Sequence, residues 1–178
     1  MKTKDILKEV NSLDRKTRLR ILEDQPTFST SVDNYLKWLP LVAIFLLDVA
    51  DPKIKNQWKR HLLVAGSSKL LTNSITYPLK QITHQMRPNG SLKFNSFPSG
   101  HTATSFLGAE LLRHELAKSH PSWRYTGFAV AATTSILRLL KNKHWLSDVI
   151  GGMAIGIISV KSVNWAFKKL ESRAGEKR

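Results

Sequence analysis

The chain has 178 residues, no cysteine and a formal net charge of +15 at pH 7. That length fits one domain with a single core, and the lack of cysteine excludes a disulfide framework and a thiolate zinc site. Such a charge invites a nucleic-acid partner, but the cations are spread along the chain, no nucleic-acid motif is present and the aromatics fall mostly in apolar segments. An anionic membrane surface is the better match.

In chain order, residues 1–30 form a charged N-terminal segment with a helical pattern over 6–22 and no apolar core of a signal peptide. Residues 31–170 follow as the main domain, with apolar-rich segments at 35–50, 61–79, 102–117, 123–140 and 146–170, and residues 171–178 form a basic tail. Alternating strand patterns are few and no internal repeat is present. The expected fold is therefore all-α, a helical bundle of about five to six helices, expected to cross a membrane, with its chemistry gathered at one end. No segment holds the eighteen or so uncharged apolar residues of a clear span, because charges such as Lys37, Asp48 and Lys161 interrupt or border them.

Three polar clusters lie between these segments. Lys80 and Arg87 are seven residues apart, so a helix through both would put two cations on one face, where they can share an anion. Pro88 biases Arg87 away from helical geometry and turns its guanidinium out at the helix end. His84 falls on the same face but matches no motif position, and it is expected to be structural or to support the site from behind its ligands. Pro98, Ser99 and Gly100 read as a tight turn before a helix, which places backbone N–H groups and the Ser99 hydroxyl where a phosphate can sit. His101, beside them, can protonate a leaving oxygen. Four residues separate His144 from Asp148, so the carboxylate can hold one ring nitrogen while the other attacks phosphorus. Arg138 supplies a third cation for the transition state. No metal or other cofactor is demanded. His61, His114 and His120 have no partner that the sequence names and are expected at the surface or an interface.

These residues resemble the three-part signature of the type 2 phosphatidic acid phosphatases, a superfamily shared with bacterial acid phosphatases and vanadium-dependent haloperoxidases. Lys80, Arg87 and Pro88 match its first motif, Pro98 to His101 its second, and Arg138, His144 and Asp148 its third. The likeness runs from about Lys80 to Gly152. It implies a phosphohistidine on His144, proton donation by His101, support of His144 by Asp148, and phosphate binding by Lys80, Arg87, Ser99, Gly100 and Arg138. One position departs: Leu137 stands where the family usually has serine, which removes an accessory hydroxyl.

The expected activity is hydrolysis of a lipid phosphomonoester or pyrophosphate, with phosphatidic acid, phosphatidylglycerol phosphate, undecaprenyl pyrophosphate and the phosphates of lipid A as candidate substrates. A soluble acid phosphatase and a vanadate-dependent haloperoxidase are the alternatives from the same pocket. If all five apolar segments cross, the three motifs share one side. Lys53, Lys55, Lys59 and Arg60 then share the other with Lys168, Lys169, Arg173, Lys177 and Arg178. The positive-inside tendency makes that second side cytoplasmic, which puts the motifs on the periplasmic face of a bacterial inner membrane. Membrane members of the family commonly have six spans, so the expectation is either a first span outside this sequence or a segment 6–22 lying on the membrane surface.

Overall fold

The computed structural model describes residues 3–175 apart from 26, 52, 55 and 56; Lys55, Lys177 and Arg178 of the topology argument lie outside the described residues. Those residues form seven helices and no strand: α1 (Thr3–Asp24), α2 (Val32–Leu36), α3 (Leu39–Ala50), α4 (Trp58–Thr83), α5 (Gly100–Ser119), α6 (Thr126–Leu140) and α7 (Leu146–Gly175). The all-α expectation stands. The helix beyond the expected five or six is α2, whose five residues are too few to show a helical period in sequence.

The bundle is built around α5, which packs against α3, α4, α6 and α7. Every residue from Thr102 to Leu112 is buried, so this helix has no solvent-facing stripe. Leu107, Leu111, Leu112 and Leu116 join Ile44, Val64 and Val160 in the main core, and Phe106, Ala109 and Ala131 form a second cluster toward α6. Glycines let α7 come close to α5. A Cβ on Gly152 would stand 2.5 Å from the Ser99 carbonyl oxygen, and one on Gly156 would strike the Ala103 carbonyl.

Because α4 to α7 run alternately up and down, the C-terminus of α4, the N-terminus of α5, the C-terminus of α6 and the N-terminus of α7 meet at one end. At the other end His61 is buried, not superficial as its lack of a sequence partner suggested. Its ring lies 3.1 Å from Glu115 and 3.6 Å from Asp48, two carboxylates remote in sequence. α7 is the described helix long and apolar enough to cross a membrane, over Leu146–Arg173; α3 and α6 are apolar but shorter.

Candidate active site

Each cluster reaches the shared end by a different local device. Ser99 caps α5 from an extended backbone, and its hydroxyl accepts from the Thr102 N–H (3.4 Å) and the Thr102 hydroxyl (3.0 Å). Its own N–H donates to the Asp148 carbonyl at 2.9 Å, which ties the second cluster to the third. A Cβ added at Gly100 would meet nothing within 4 Å, so the space in front of this turn is open.

The first cluster departs from expectation. α4 stops at Thr83, with His84 in the left-handed region (φ 42°) as its C-cap, so Lys80 and Arg87 do not share a helix face. They converge through Asn95 instead: Lys80 Nζ donates to its carbonyl oxygen (2.7 Å) and Arg87 Nε to its Oδ1 (3.0 Å). Lys80 also donates to the Pro98 carbonyl at 2.7 Å. The left-handed His84 ends the helix and Pro88 disfavours helical geometry at Arg87, so the loop 84–98 does what the helix was expected to do. Burial, reinforced by the Arg87 charge, pushes the Lys80 ammonium down to about 8.

His144 is buried just before α7, with Nδ1 3.4 Å from Asp148 Oδ2. That oxygen also accepts from the Ser96 hydroxyl (2.5 Å) and the Trp145 N–H (2.8 Å), so the carboxylate is fixed before it meets the ring. Burial lowers the His144 pKa to about 4, against the opposing effect of its bond to Asp148. At neutral pH the imidazole is uncharged, with Nε2 free to use its lone pair.

Arg138 is 6% exposed and donates from one terminal nitrogen to Asp33 Oδ2 at 2.6 Å. Its Nε has no partner among the described residues. Asp33 also accepts from Lys141 (2.7 Å). Burial alone would raise the Asp33 carboxyl, but its bonds to Lys141 and Arg138 outweigh this and hold it below the usual range.

α2 brings two further groups to His101. Nε2 of the ring stands 2.9 Å from Asn34 Oδ1 and 3.2 Å from Lys37 Nζ. A carbonyl oxygen only accepts and an ammonium only donates, so Nε2 bonds Asn34 when it carries a proton and Lys37 when it does not. Burial, then the charges of Arg138 and Lys37, push His101 down to about 3. Thus all eight residues singled out in the sequence gather at one end, joined there by Asp33, Asn34, Lys37, Asn95, Ser96 and Lys141. Sequence reasoning missed these six. The only trace of them was the unexplained polar run Asp33, Asn34, Lys37 at the border of an apolar segment.

α1 lies against the same end, held by a polar pin. The Asp14 carboxylate accepts from the Ser147 N–H (2.9 Å) and hydroxyl (2.6 Å), capping α7 from another helix, and the Arg18 guanidinium lies over the Trp145 ring at 5.7 Å.

The chain is similar to known proteins in sequence and in fold. The family model described as PAP2 superfamily matches residues 61–171. A curated relative, the Lipid A 1-phosphatase of Porphyromonas gingivalis, is 34% identical over 133 residues, which are 74% of this chain and 30% of the relative. The chain thus spans less than a third of that protein's length. Among solved structures, the crystal structure of Aquifex aeolicus LpxE superposes with a TM-score of 0.58 at 21% identity, over 80% of this chain and 91% of that one.

Proposed function

The chain belongs to the PAP2 superfamily, and from that premise we propose that it hydrolyses a phosphomonoester carried on a membrane lipid, through a phosphohistidine on His144. The observation that carries this reading is the buried Arg138, with an unpaired Nε, beside two histidines whose outer partners are already fixed. Asp33 takes one terminal nitrogen of this guanidinium but leaves Nε without an acceptor, and a phosphoryl oxygen supplies one.

In this mechanism the phosphoryl group lies among Lys80, Arg87, Arg138 and the Ser99–Gly100 turn. His144 Nε2 attacks phosphorus in line with the leaving oxygen; a P–N bond forms as the ester P–O bond breaks. Asp148 steadies the developing imidazolium through Nδ1. With Nε2–H held by Asn34, His101 delivers the proton on Nδ1 to the departing alkoxide. Water then attacks phosphorus, gives its proton back to His101, and the P–N bond breaks to release phosphate. The low pKa of His101 is offset by the incoming dianion, whose charge opposes those of Arg138 and Lys37, so substrate binding and protonation are coupled.

A lipid substrate is supported by the outer surface. Leu46, Leu63, Leu70, Ile158 and Trp165 are all more than half exposed on α3, α4 and α7. Trp165 lies nineteen residues beyond Leu146, about 29 Å along a helix, close to the thickness of a hydrocarbon core. With Trp58 and Trp123 exposed at that far end and Tyr35 and Trp38 at the site end, two aromatic belts bracket the apolar surface. With α1 against the site end, Lys8, Arg15, Lys16, Arg18 and Arg20 balance the cations of the α3–α4 connection and the end of α7, so the positive-inside tendency selects no side. The similarity to a Lipid A 1-phosphatase puts the 1-phosphate of lipid A first among substrates to test.

The experiment is phosphate release by purified protein, with EDTA present, from detergent-dispersed lipid phosphates including that of lipid A and from a soluble phosphomonoester. Preference for one lipid supports the reading. Turnover of the soluble ester alone replaces it with an acid phosphatase.

A further inference from the structure

Of residues 8–24 in α1, only Asp14 is buried. Over these residues little apolar packing holds the helix: Ile21 and Leu22 are half-buried, and Val10, Leu13 and Leu19 are 36%, 50% and 59% exposed. Two cavities flank the Asp14 pin. One, of about 550 Å³, lies beside the nucleophile and is lined by Lys8, Arg15, Gln85, Met86 and Trp145. The other, of about 300 Å³, is lined by Val10, Leu13, Phe97, Leu146, Ile150 and Gly151 and is almost wholly apolar.

We propose that these two cavities form one binding site for an anionic phospholipid of the membrane, distinct from the substrate, with its phosphate between Lys8 and Arg15 and an acyl chain between α1 and the first turns of α7. The proposal rests on the membrane placement inferred above.

Charge and shape both select an amphiphile. Lys8 and Arg15 are seven residues apart on one face of α1, so both reach the polar cavity. The negative charge of the acid beside them is partly offset, because both Asp14 oxygens accept from Ser147 at the positive end of α7. Trp145 forms a fixed wall, its Nε1 donating to the Met86 carbonyl at 2.8 Å. Asp14 lines both cavities, so the polar and apolar parts lie side by side at the depth where headgroups meet chains. The apolar half opens along α7, the helix fit to span the bilayer.

The chemistry of the catalytic site separates this lipid from the one hydrolysed. In-line displacement sends the leaving group away from His144, toward His101 and α2. A lipid lying on Trp145 and Leu146 is on the nucleophile's side, so its own phosphate is not the one attacked. The occupant binds where it can tighten the Asp14–Ser147 pin, one residue from Asp148.

Native mass spectrometry of the detergent-solubilised protein, titrated with phosphatidylglycerol and with phosphatidylcholine, tests this. Both are phosphodiesters, so the result does not depend on turnover and stands even if the phosphatase reading falls. The expected result is one phosphatidylglycerol held in preference to phosphatidylcholine, weakened on the order of tenfold or more in the Lys8→Gln/Arg15→Gln double variant. Leu13→Glu should weaken it as well. Lys16→Gln/Arg20→Gln removes two cations of the same helix outside the polar cavity and should leave binding unchanged. Equal loss in that control means diffuse surface attraction and overturns the site, as does equal binding of the two lipids or full binding by Lys8→Gln/Arg15→Gln.

Discussion

In the proposed mechanism His101 and His144 are the same side chain given opposite tasks, and their neighbours separate them. His144 meets a carboxylate, which suits a nucleophile that becomes cationic; His101 meets an amide and an ammonium, which suit an acid that must give its proton away. His144→Ala should lower turnover by on the order of a thousandfold or more in the phosphate-release assay. Lys37 should be visible in the pH profile. His101 must be protonated in the complex, so kcat falls as pH rises through its pKa there. Besides Lys37, the charges facing it are those of Arg138, Asp33 and, when protonated, His144. Removing the Lys37 ammonium raises that pKa, so Lys37→Met should move the basic limb of kcat to higher pH, whereas Lys37→Arg should leave it in place. Asn34→Ala should lower kcat by roughly ten- to a hundredfold with little change in KM, because it frees the ring nitrogen and removes no phosphate ligand. An unchanged basic limb in Lys37→Met, or a KM effect alone in Asn34→Ala, would falsify these roles. On the acid side His144 must be neutral, so kcat/KM should be lost only as pH falls toward about 4.

Helix termini, more than helix faces, build this site. Four termini give it direction, and two glycines set how close α7 lies to α5. Gly152→Ala would press a methyl group against the Ser99 carbonyl, an overpacking that costs about 1–3 kcal/mol. We expect a lower Tm by calorimetry together with weakened vanadate binding, since the carbonyl displaced belongs to the phosphate-facing turn. Asp14→Ala removes both acceptors of Ser147 and should cost about 1 kcal/mol, as the loss of a helix cap does. Because the cap lies next to Asp148, kcat should fall with it, and a Tm change with kcat intact would confine Asp14 to stability. The loop 84–98 shows the limit of reading a motif as helix geometry. Lys80 and Arg87 kept their spacing but met through Asn95, a residue outside every motif.

At the scale of the whole molecule, the site sits at one end of a bundle whose flanks are apolar. Vanadate, a mimic of pentavalent phosphorus, should inhibit and should also raise Tm. At a hundred times its Kd it adds about 2.7 kcal/mol to the folded state. Chelation should change neither. Alkaline washing of native membranes should leave the protein in the pellet; release into the wash would remove the lipid surface from the account of Leu70, Ile158 and Trp165.

That the eight proposed site residues gather at one end was legible in the sequence, because the chemistry expected of them asks for particular charges and nucleophiles in three short clusters. The all-α class was legible from periodicity for the same reason: it is a short-range property. Asp33, Asn34 and Lys37 were not, since nothing near them in sequence says that a five-residue helix folds back on His101 from sixty-odd positions away. Nor could sequence show that Asp14 caps a helix 133 residues distant or that His61 is buried between Asp48 and Glu115. Those pairings depend on which helix ends the bundle brings together, and buried polar groups take the partners that packing leaves within reach. The amino-acid order determined the chemistry; tertiary packing around α5 decided which neighbours hold, charge and orient it.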